Sequence, residues 1–260
     1  MFKDIKLFLF DMDGTLYLGD RLFDFTTELL SEIRKKGKRY MFMTNNSSKS
    51  VSAYIEKLGR LGITACESDF ITSAQATIHY RKKHHANKRL YVCGTESLKR
   101  EFAASGLIVT ENTATAECVV MGYDTELTYK KLYEVSHMLT TRDMPYIATH
   151  PDKVCPTEWG SVPDCGSFCD MIYVATGKQP LVIGKPEKLM PCLAMEKANV
   201  KPSETAVIGD RIYTDVKCGL NAGALGVLVM SGETTQKILE ESSDKPDVVL
   251  NNAGEIISQL

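Results

Sequence analysis

The stretch Leu7–Thr15, LFLFDMDGT, decides how this chain is interpreted. The apolar and aromatic run Ile5–Phe10 stops at Asp11, and a second carboxylate, Asp13, follows two residues later. A short and nearly continuous apolar run of this kind is typical of a parallel strand buried on both faces. We therefore predict a buried strand that ends in two carboxylates.

Short apolar runs alternate with segments of helical period along the rest of the chain. Further strands are predicted at Arg39–Met43, Leu90–Cys93, Cys118–Gly122, Tyr146–Thr149, Leu181–Ile183, Ala206–Ile208, Val227–Met230 and Val248–Leu250. Helices are predicted at Phe25–Ile33, with Asp24 as N-cap, and at Val51–Leu61, Gln75–Lys83, Glu96–Ala104, Tyr129–Thr140, Ser167–Thr176, Leu189–Ala198 and Asp215–Ala222. The segment Pro151–Gly166 is predicted to be a long irregular loop. Repeated strand–helix units imply a doubly wound parallel sheet.

Composition narrows the class of protein. The chain has 260 residues and a net charge of -2, which gives no reason to expect a nucleic-acid or membrane partner. No targeting segment or membrane span is visible, so we expect a cytoplasmic protein. Its eight cysteines form no CxxC pair, and we expect reduced thiols that are mostly buried.

Polar residues that directly follow strands should converge, because ligands of doubly wound sheets bind beyond the carboxyl ends of the strands. Four such strand ends carry chemically useful groups: Asp11–Thr15, Thr44–Ser48, Gly184–Pro186 and Gly209–Asp215. Each alone would most often be an ordinary turn or helix cap. Together they predict one site with four carboxylates, a lysine, hydroxyls and amides.

Four neighbouring carboxylates repel each other and require a cation, and an oxygen-rich site of this kind suits Mg²⁺. Lys185 and the small donors beside it suit a phosphoryl group. Asp11 can then act as a nucleophile that forms an aspartyl-phosphate. Asp13 can protonate the leaving alcohol as an acid and then activate water as a base.

The motifs DMDGTLY (Asp11–Tyr17), TNNSS (Thr44–Ser48), GKP (Gly184–Pro186) and GDRIYTD (Gly209–Asp215) resemble those of haloacid dehalogenase (HAD) superfamily phosphatases. The chain is most similar to the NagD-like, p-nitrophenyl phosphatase branch. The resemblance implies an α/β fold whose doubly wound, Rossmann-like core is formed by residues 1–72 and 180–260. It also implies an inserted α/β cap, residues 73–179, that determines substrate specificity.

The resemblance also implies roles for the first and third motifs. Asp11 would be the nucleophile and a magnesium ligand. Asp13 would be the acid and base and would bind the metal through its backbone carbonyl. Lys185 would neutralise the charge of the phosphoryl group and the nucleophile, and would complete the catalytic set.

The second and fourth motifs receive binding roles from the same resemblance. Thr44 and Asn45 would bind the phosphoryl oxygens. Asp210 would be the third protein ligand to magnesium, and Asp215 would steady either the metal's water shell or Lys185.

The cap segment Ala148–Ser167 resembles the substrate-facing part of the cap in this branch, with two departures. His150 stands where asparagine is common, and Asp164–Cys165 stands where small residues are common. We take His150, Asp152 and Trp159 as candidate specificity residues. A purely structural role remains open for each, and Trp159 could pack inside the cap.

The leading hypothesis is a magnesium-dependent phosphatase for small phosphorylated metabolites such as sugar phosphates, nucleotides or pyridoxal phosphate. One alternative is a non-catalytic protein that binds a phosphate ligand on the same scaffold. Another is phosphoryl transfer to a second acceptor. A homodimer formed through the cap is also possible.

Overall fold

The computed structural model describes residues 1–157 and 159–260. The chain forms two compact units. We call the first the core unit; it contains Met1–Thr44, Val51–Ile71 and Lys185–Leu260. We call the second the inserted unit; it contains Asn45–Ser50 and Thr72–Gly184. The assignment of catalysis to one region and specificity to the other stays a prediction.

Most strands are followed by a helix, except that three strands follow one another in residues 7–22 and again in residues 146–163. The strands are β1 (Leu7–Phe10), β2 (Tyr17–Leu18), β3 (Arg21–Leu22), β4 (Arg39–Thr44), β5 (Phe70–Thr72), β6 (Leu90–Cys93), β7 (Cys118–Met121), β8 (Tyr146–Ala148), β9 (Val154–Thr157), β10 (Gly160–Pro163), β11 (Leu181–Val182), β12 (Thr205–Gly209), β13 (Leu225–Val229) and β14 (Val248–Leu250). The helices are α1 (Thr26–Lys35), α2 (Val51–Arg60), α3 (Ser73–His85), α4 (Glu96–Ala104), α5 (Tyr129–Thr141), α6 (Cys165–Thr176), α7 (Leu189–Ala198), α8 (Lys217–Asn221) and α9 (Gln236–Glu241).

The core unit is built on a six-stranded sheet in the order β14-β13-β12-β1-β4-β5. Strand β1 lies between β12 and β4 and runs parallel to both, so that Leu7 is opposite Thr205 and Arg39. All four residues of β1 are buried, and Phe8 and Phe10 belong to the main apolar cluster. Burial on both faces explains why this strand reads as a continuous apolar run rather than an alternating one.

The inserted unit has its own parallel sheet, in the order β11-β8-β7-β6, and its own apolar core. Val119 and Met121 from the sheet pack in one cluster with Val135 of α5 and with Phe168 and Ile172 of α6. Every predicted strand forms, with ends shifted by at most two residues. The predicted fold class, a doubly wound α/β core with an α/β insertion, is confirmed.

The segment Pro151–Gly166 is not the irregular loop that the sequence predicts. Strands β9 and β10 pair antiparallel as a hairpin, with Val162 opposite Cys155. Pro156 and Pro163 concealed the strands, because proline is rare in the interior of a sheet. A two-stranded ribbon has only edge positions, where the missing N–H group is tolerated.

Two helices begin differently from the prediction, and the ends of the others are shifted by at most two residues. Helix α1 begins at Thr26 with Phe25 as N-cap, and no side chain caps it, so the assignment of Asp24 was wrong. The predicted helix Asp215–Ala222 is two segments, a π-helical turn at Ile212–Val216 and then α8. The wider turn is marked by the bond from the N–H of Val216 to the carbonyl of Arg211.

Two further expectations can be compared with the structure. The structure describes all eight cysteines; none of the eight is in a disulfide bond, and five of them are buried. No helix formed by residues 1–157 or 159–260 is both long and apolar enough to cross a membrane.

Candidate active site

Three carboxylates and one ammonium group meet in the core unit, at the carboxyl ends of neighbouring strands. Asp11 follows β1 and Asp210 follows the adjacent strand β12. Asp215 lies on the π-helical turn, and Lys185 begins the last part of the core unit. These four residues belong to strand-end segments that the sequence predicts to converge, and the structure brings them together.

Lys185 is the cation at the centre of this group. Its Nζ atom donates to Asp11 Oδ1 at 2.6 Å, to Asp215 Oδ1 at 2.5 Å and to the Met43 carbonyl at 3.3 Å. Only 3% of the residue is exposed. Burial lowers the pKa of Lys185, but the charges of Asp11 and Asp215 outweigh it, and the net shift of the pKa is upward. The ammonium group is thus held charged and in a fixed position.

Asp210 has one satisfied oxygen and one unsatisfied oxygen. Its Oδ2 atom accepts a hydrogen bond from the N–H of Glu233 at 2.6 Å. Its Oδ1 atom is buried and has no hydrogen-bond partner among the residues that the structure describes. A buried carboxylate oxygen without a partner is costly unless a cation or a donor compensates it.

Asp11, Asp210 and Asp215 can direct carboxylate oxygens that all lie within 4.8 Å of one another. Burial, together with the charges of Asp215 and Asp210, raises the pKa of Asp11 to about 8 in spite of Lys185. Burial and Asp215 likewise raise the pKa of Asp210 to about 6. These groups are short of positive charge, so the residues present fit a divalent cation with oxygen ligands.

Two glycines make room for the Asp210 carboxylate. A Cβ atom on Gly14 would lie 2.6 Å from Asp210 Oδ2, and one on Gly232 would lie 2.1 Å from the same atom. Gly232 and Glu233 were missed by the sequence analysis. They follow strand β13, so applying the strand-end rule to Val227–Met230 as well would have found them.

We expect Gly14→Ala to lower the free energy of unfolding by more than the cost of placing alanine in a left-handed backbone conformation. Gly14 has φ +79°, and its Cβ would also overlap the Asp210 carboxylate. Gly62 has φ +85° and nothing within 4 Å of its Cβ position, so Gly62→Ala is the matched control. Urea unfolding should show a loss for Gly14→Ala that exceeds the control by about 1–3 kcal/mol. Equal losses would contradict the proposed crowding.

Asp13 and Thr44 lie in the core unit near the same strand ends. Asp13 Oδ1 accepts a long hydrogen bond from the N–H of Gly19 at 3.5 Å. Partial desolvation raises the pKa of Asp13, although Lys57 opposes the shift. Thr44 is the last residue of β4 and is buried.

The other predicted site residues lie in the inserted unit. Asn45 Nδ2 donates to both carboxylate oxygens of Asp152, at 3.1 and 3.3 Å. His150 is fully buried and forms hydrogen bonds to Thr149 and Asp164. Trp159 lies in the turn of the β9–β10 hairpin and is 78% exposed, so it does not pack inside the unit.

Comparison with known proteins finds likeness over the whole chain. Residues 8–108 match the haloacid dehalogenase-like hydrolase family, and residues 182–256 match a second HAD-hydrolase-like family. The chain is 32% identical to 5′-nucleotidase YutF of Bacillus subtilis, over 99% of this chain and 100% of that protein. It is 30% identical to an acid sugar phosphatase of Staphylococcus saprophyticus, over 99% of each. The crystal structure of a 4-nitrophenylphosphatase from Thermotoga maritima is 40% identical, with a TM-score of 0.93 over 98% of this chain and 97% of that one.

Proposed function

We infer the chemistry of this chain from one premise, that it belongs to the haloacid dehalogenase-like hydrolase family, in its NagD-like, p-nitrophenyl phosphatase branch. It is a phosphoric monoester hydrolase. The proposal is that it requires Mg²⁺ and acts through an aspartyl-phosphate on Asp11. The observation that supports it best is the hydrogen bond from the Lys185 ammonium group to Asp11, near a buried oxygen of Asp210 that has no hydrogen-bond partner among the described residues.

The first half-reaction begins when the Asp11 carboxylate attacks the phosphorus atom of the ester. The bond between Asp11 and phosphorus forms as the ester P–O bond breaks. Asp13 gives its proton to the departing alkoxide, and the raised pKa of Asp13 supports this role because it favours the protonated acid. Lys185 offsets the negative charge that accumulates around Asp11.

The second half-reaction reverses these roles with water. Asp13, now a carboxylate, takes a proton from a water molecule that attacks the phosphorus atom. The bond between phosphorus and Asp11 breaks, inorganic phosphate leaves, and Asp11 returns as a carboxylate. Thr44 and Asn45 are proposed to bind the phosphoryl oxygens in both steps.

Three residues are proposed to hold the metal: Asp11 and Asp210 through their carboxylates and Asp13 through its backbone carbonyl. When bound, Mg²⁺ would act as a Lewis acid that offsets charge on the phosphoryl oxygens. Asp215 is proposed to hold Lys185 in position. Its Oδ1 atom accepts a hydrogen bond from Lys185 Nζ, and its Oδ2 atom accepts one from the N–H of Arg211 at 3.2 Å.

We expect Mg²⁺ to stabilise the metal-free protein, because it would relieve repulsion among buried carboxylates. At free Mg²⁺ one hundred times its Kd, the gain in the free energy of unfolding should be about 2.7 kcal/mol. Asp210→Asn should lose most of this gain. Asp143→Asn, which changes a fully exposed carboxylate, should keep it. A gain of equal size in both variants would contradict the proposed ligand.

The substrate is proposed to be a small phosphomonoester of the nucleotide, sugar phosphate or pyridoxal phosphate type. The names of the relatives support the first two, and His150, Asp152 and Trp159 remain the proposed specificity residues. The test is phosphate release from p-nitrophenyl phosphate and from a panel of phosphorylated metabolites, with Mg²⁺ and after its removal by EDTA. Ligand-dependent thermal shifts without turnover would instead favour the non-catalytic alternative.

A further inference from the structure

The segment Asn45–Ser48 is joined to the rest of the inserted unit by hydrogen bonds at each end and in its middle. Ser73 Oγ donates to the Asn45 carbonyl at 2.5 Å. Thr95 Oγ1 donates to the Ser48 carbonyl at 3.1 Å. Between them, Ser47 Oγ accepts from the N–H of Tyr123 at 2.9 Å. The conformation of this segment therefore depends on its contacts with Ser73, Thr95 and Tyr123 of the same unit.

A chain of four buried side chains leads away from Ser47. Ser47 Oγ lies 3.0 Å from Thr149 Oγ1, which lies 2.9 Å from His150 Nδ1. On the other side of the ring, His150 Nε2 lies 2.9 Å from Asp164 Oδ1. No member is more than 4% exposed. Asp164 is fixed in turn because it is the N-cap of α6 and accepts from the N–H of Cys165.

The charge state of the His150 ring decides which atoms donate and which accept in this series of hydrogen bonds. Burial lowers the pKa of His150, but the hydrogen bond and negative charge of Asp164 outweigh it, and the pKa is raised overall. In the protonated ring both nitrogens donate, one to Asp164 and one to Thr149. The Thr149 hydroxyl proton then has two acceptors within reach, Ser47 Oγ at 3.0 Å and Cys165 Sγ at 3.8 Å, and Ser47 is the closer of the two. A buried and fully paired network of this kind rigidifies its surroundings.

The same region has a donor set that could suggest a metal site, because donor atoms of His150, Asp152 and Asp164 lie within 4.8 Å of one another. Both ring nitrogens of His150 are engaged, however, one with Asp164 and the other with Thr149. The direct ion pair therefore accounts for this cluster, and a metal is not needed to explain it.

We propose that Asp164, His150 and Thr149 are positioning residues for the phosphate-binding segment Asn45–Ser48, and that they act on it through Ser47. The proposal rests on the proposed function, in which Asn45 binds the phosphoryl oxygens. It also connects the two departures from the cap pattern, His150 and Asp164, since they are partners in one ion pair. A displaced segment would hold the phosphoryl group less tightly in the ground state and the transition state alike.

The test is Thr149→Val, which keeps the shape of the side chain and removes the hydroxyl between Ser47 and His150. We expect KM for p-nitrophenyl phosphate and Ki for inorganic phosphate to rise in parallel by about three- to tenfold. The value of kcat should stay within about twofold, because uniform binding is lost. Thr149→Ser should restore both constants. Thr141→Val, which removes an exposed hydroxyl from α5, should leave them unchanged.

A double-mutant cycle with Ser47→Ala gives a second measurement. If the two hydroxyls act as one unit, the increase in KM of the double variant will be smaller than the product of the single increases. Additive effects, or a folded Thr149→Val protein with wild-type KM and Ki, would overturn the positioning proposal. If Thr149→Val does not fold, Ser47→Ala assayed in the same way decides. These results differ from failure of the proposed function, in which the wild-type protein itself would release no phosphate with Mg²⁺.

Discussion

Asp11→Asn should abolish turnover of p-nitrophenyl phosphate, lowering kcat by at least about 10⁴-fold, because an amide cannot form the acyl phosphate. The change is nearly isosteric and keeps a hydrogen-bond acceptor for Lys185, so the fold and the neighbouring groups should persist. Asp20→Asn provides a control in the same unit, since the Asp20 side chain is 89% exposed. Turnover in the Asp11→Asn variant above the buffer rate would rule out Asp11 as the nucleophile.

The same variant should change how stability depends on pH in the metal-free protein. Burial first, and then Asp215 and Asp210, raise the pKa of Asp11 from 3.8 to about 8. Because the folded state binds this proton more tightly than the unfolded state, stability falls as the pH rises between these two values. Urea unfolding at a series of pH values should show the wild-type protein losing stability relative to Asp11→Asn across this window. A constant difference would contradict the raised pKa.

The strand-end rule located the central site residues because a buried strand and the polar residue after it are adjacent in sequence. Asp11 and Asp210 each follow a strand whose apolar run is visible in the sequence, and these strands turn out to be neighbours in the sheet. Lys185 follows directly on the inserted unit and makes its contacts in the core unit. For these residues, the local sequence pattern and the strand order of the sheet agree. The sequence was therefore sufficient to predict that their side chains lie close together.

The features that were missed depend on backbone groups or on contacts distant in sequence. Glu233 holds Asp210 through its N–H group, which every residue except proline possesses, so its side chain gave no signal. The π-helical turn that carries Asp215 is set by backbone hydrogen bonds that span five residues, from Val216 to Arg211 and from Lys217 to Ile212, and hydrophobic periodicity does not reveal them. His150 and Asp164 attracted notice separately, but their separation of 14 positions along the sequence hid their pairing. Only the hairpin of β9 and β10 brings them together.

The electrostatics of the site explain why the lysine and the carboxylates are interdependent. Asp11 and Asp215 keep Lys185 charged although it is buried, and Lys185 lowers the pKa of Asp11 although the net shift is upward. Removing the lysine would leave buried carboxylate charge uncompensated, which costs more than the intact ion pair contributes. Substitution of the lysine is therefore the strongest test of this arrangement.

Lys185→Met should lower kcat/KM by about 10³-fold or more, on the scale seen for loss of a central electrostatic group in an active site. It should also destabilise the metal-free protein by about 3–5 kcal/mol at neutral pH, because the Asp215 carboxylate would remain buried without the cation that it contacts. Methionine fills a similar volume, so packing should change little. Lys217→Met is the matched control, because Lys217 is 41% exposed in its pair with Asp244. That pair should contribute no more than about 1 kcal/mol.

A second substitution separates charge from packing in this prediction. Adding Asp215→Asn to Lys185→Met removes the carboxylate that loses its cation and should recover part of the lost free energy of unfolding. It should not recover activity, because the ammonium group that contacts Asp11 and offsets the charge of phosphoryl transfer would still be missing. If stability did not recover, the loss in Lys185→Met would come from packing. If activity recovered instead, charge neutralisation by Lys185 would not be part of the mechanism.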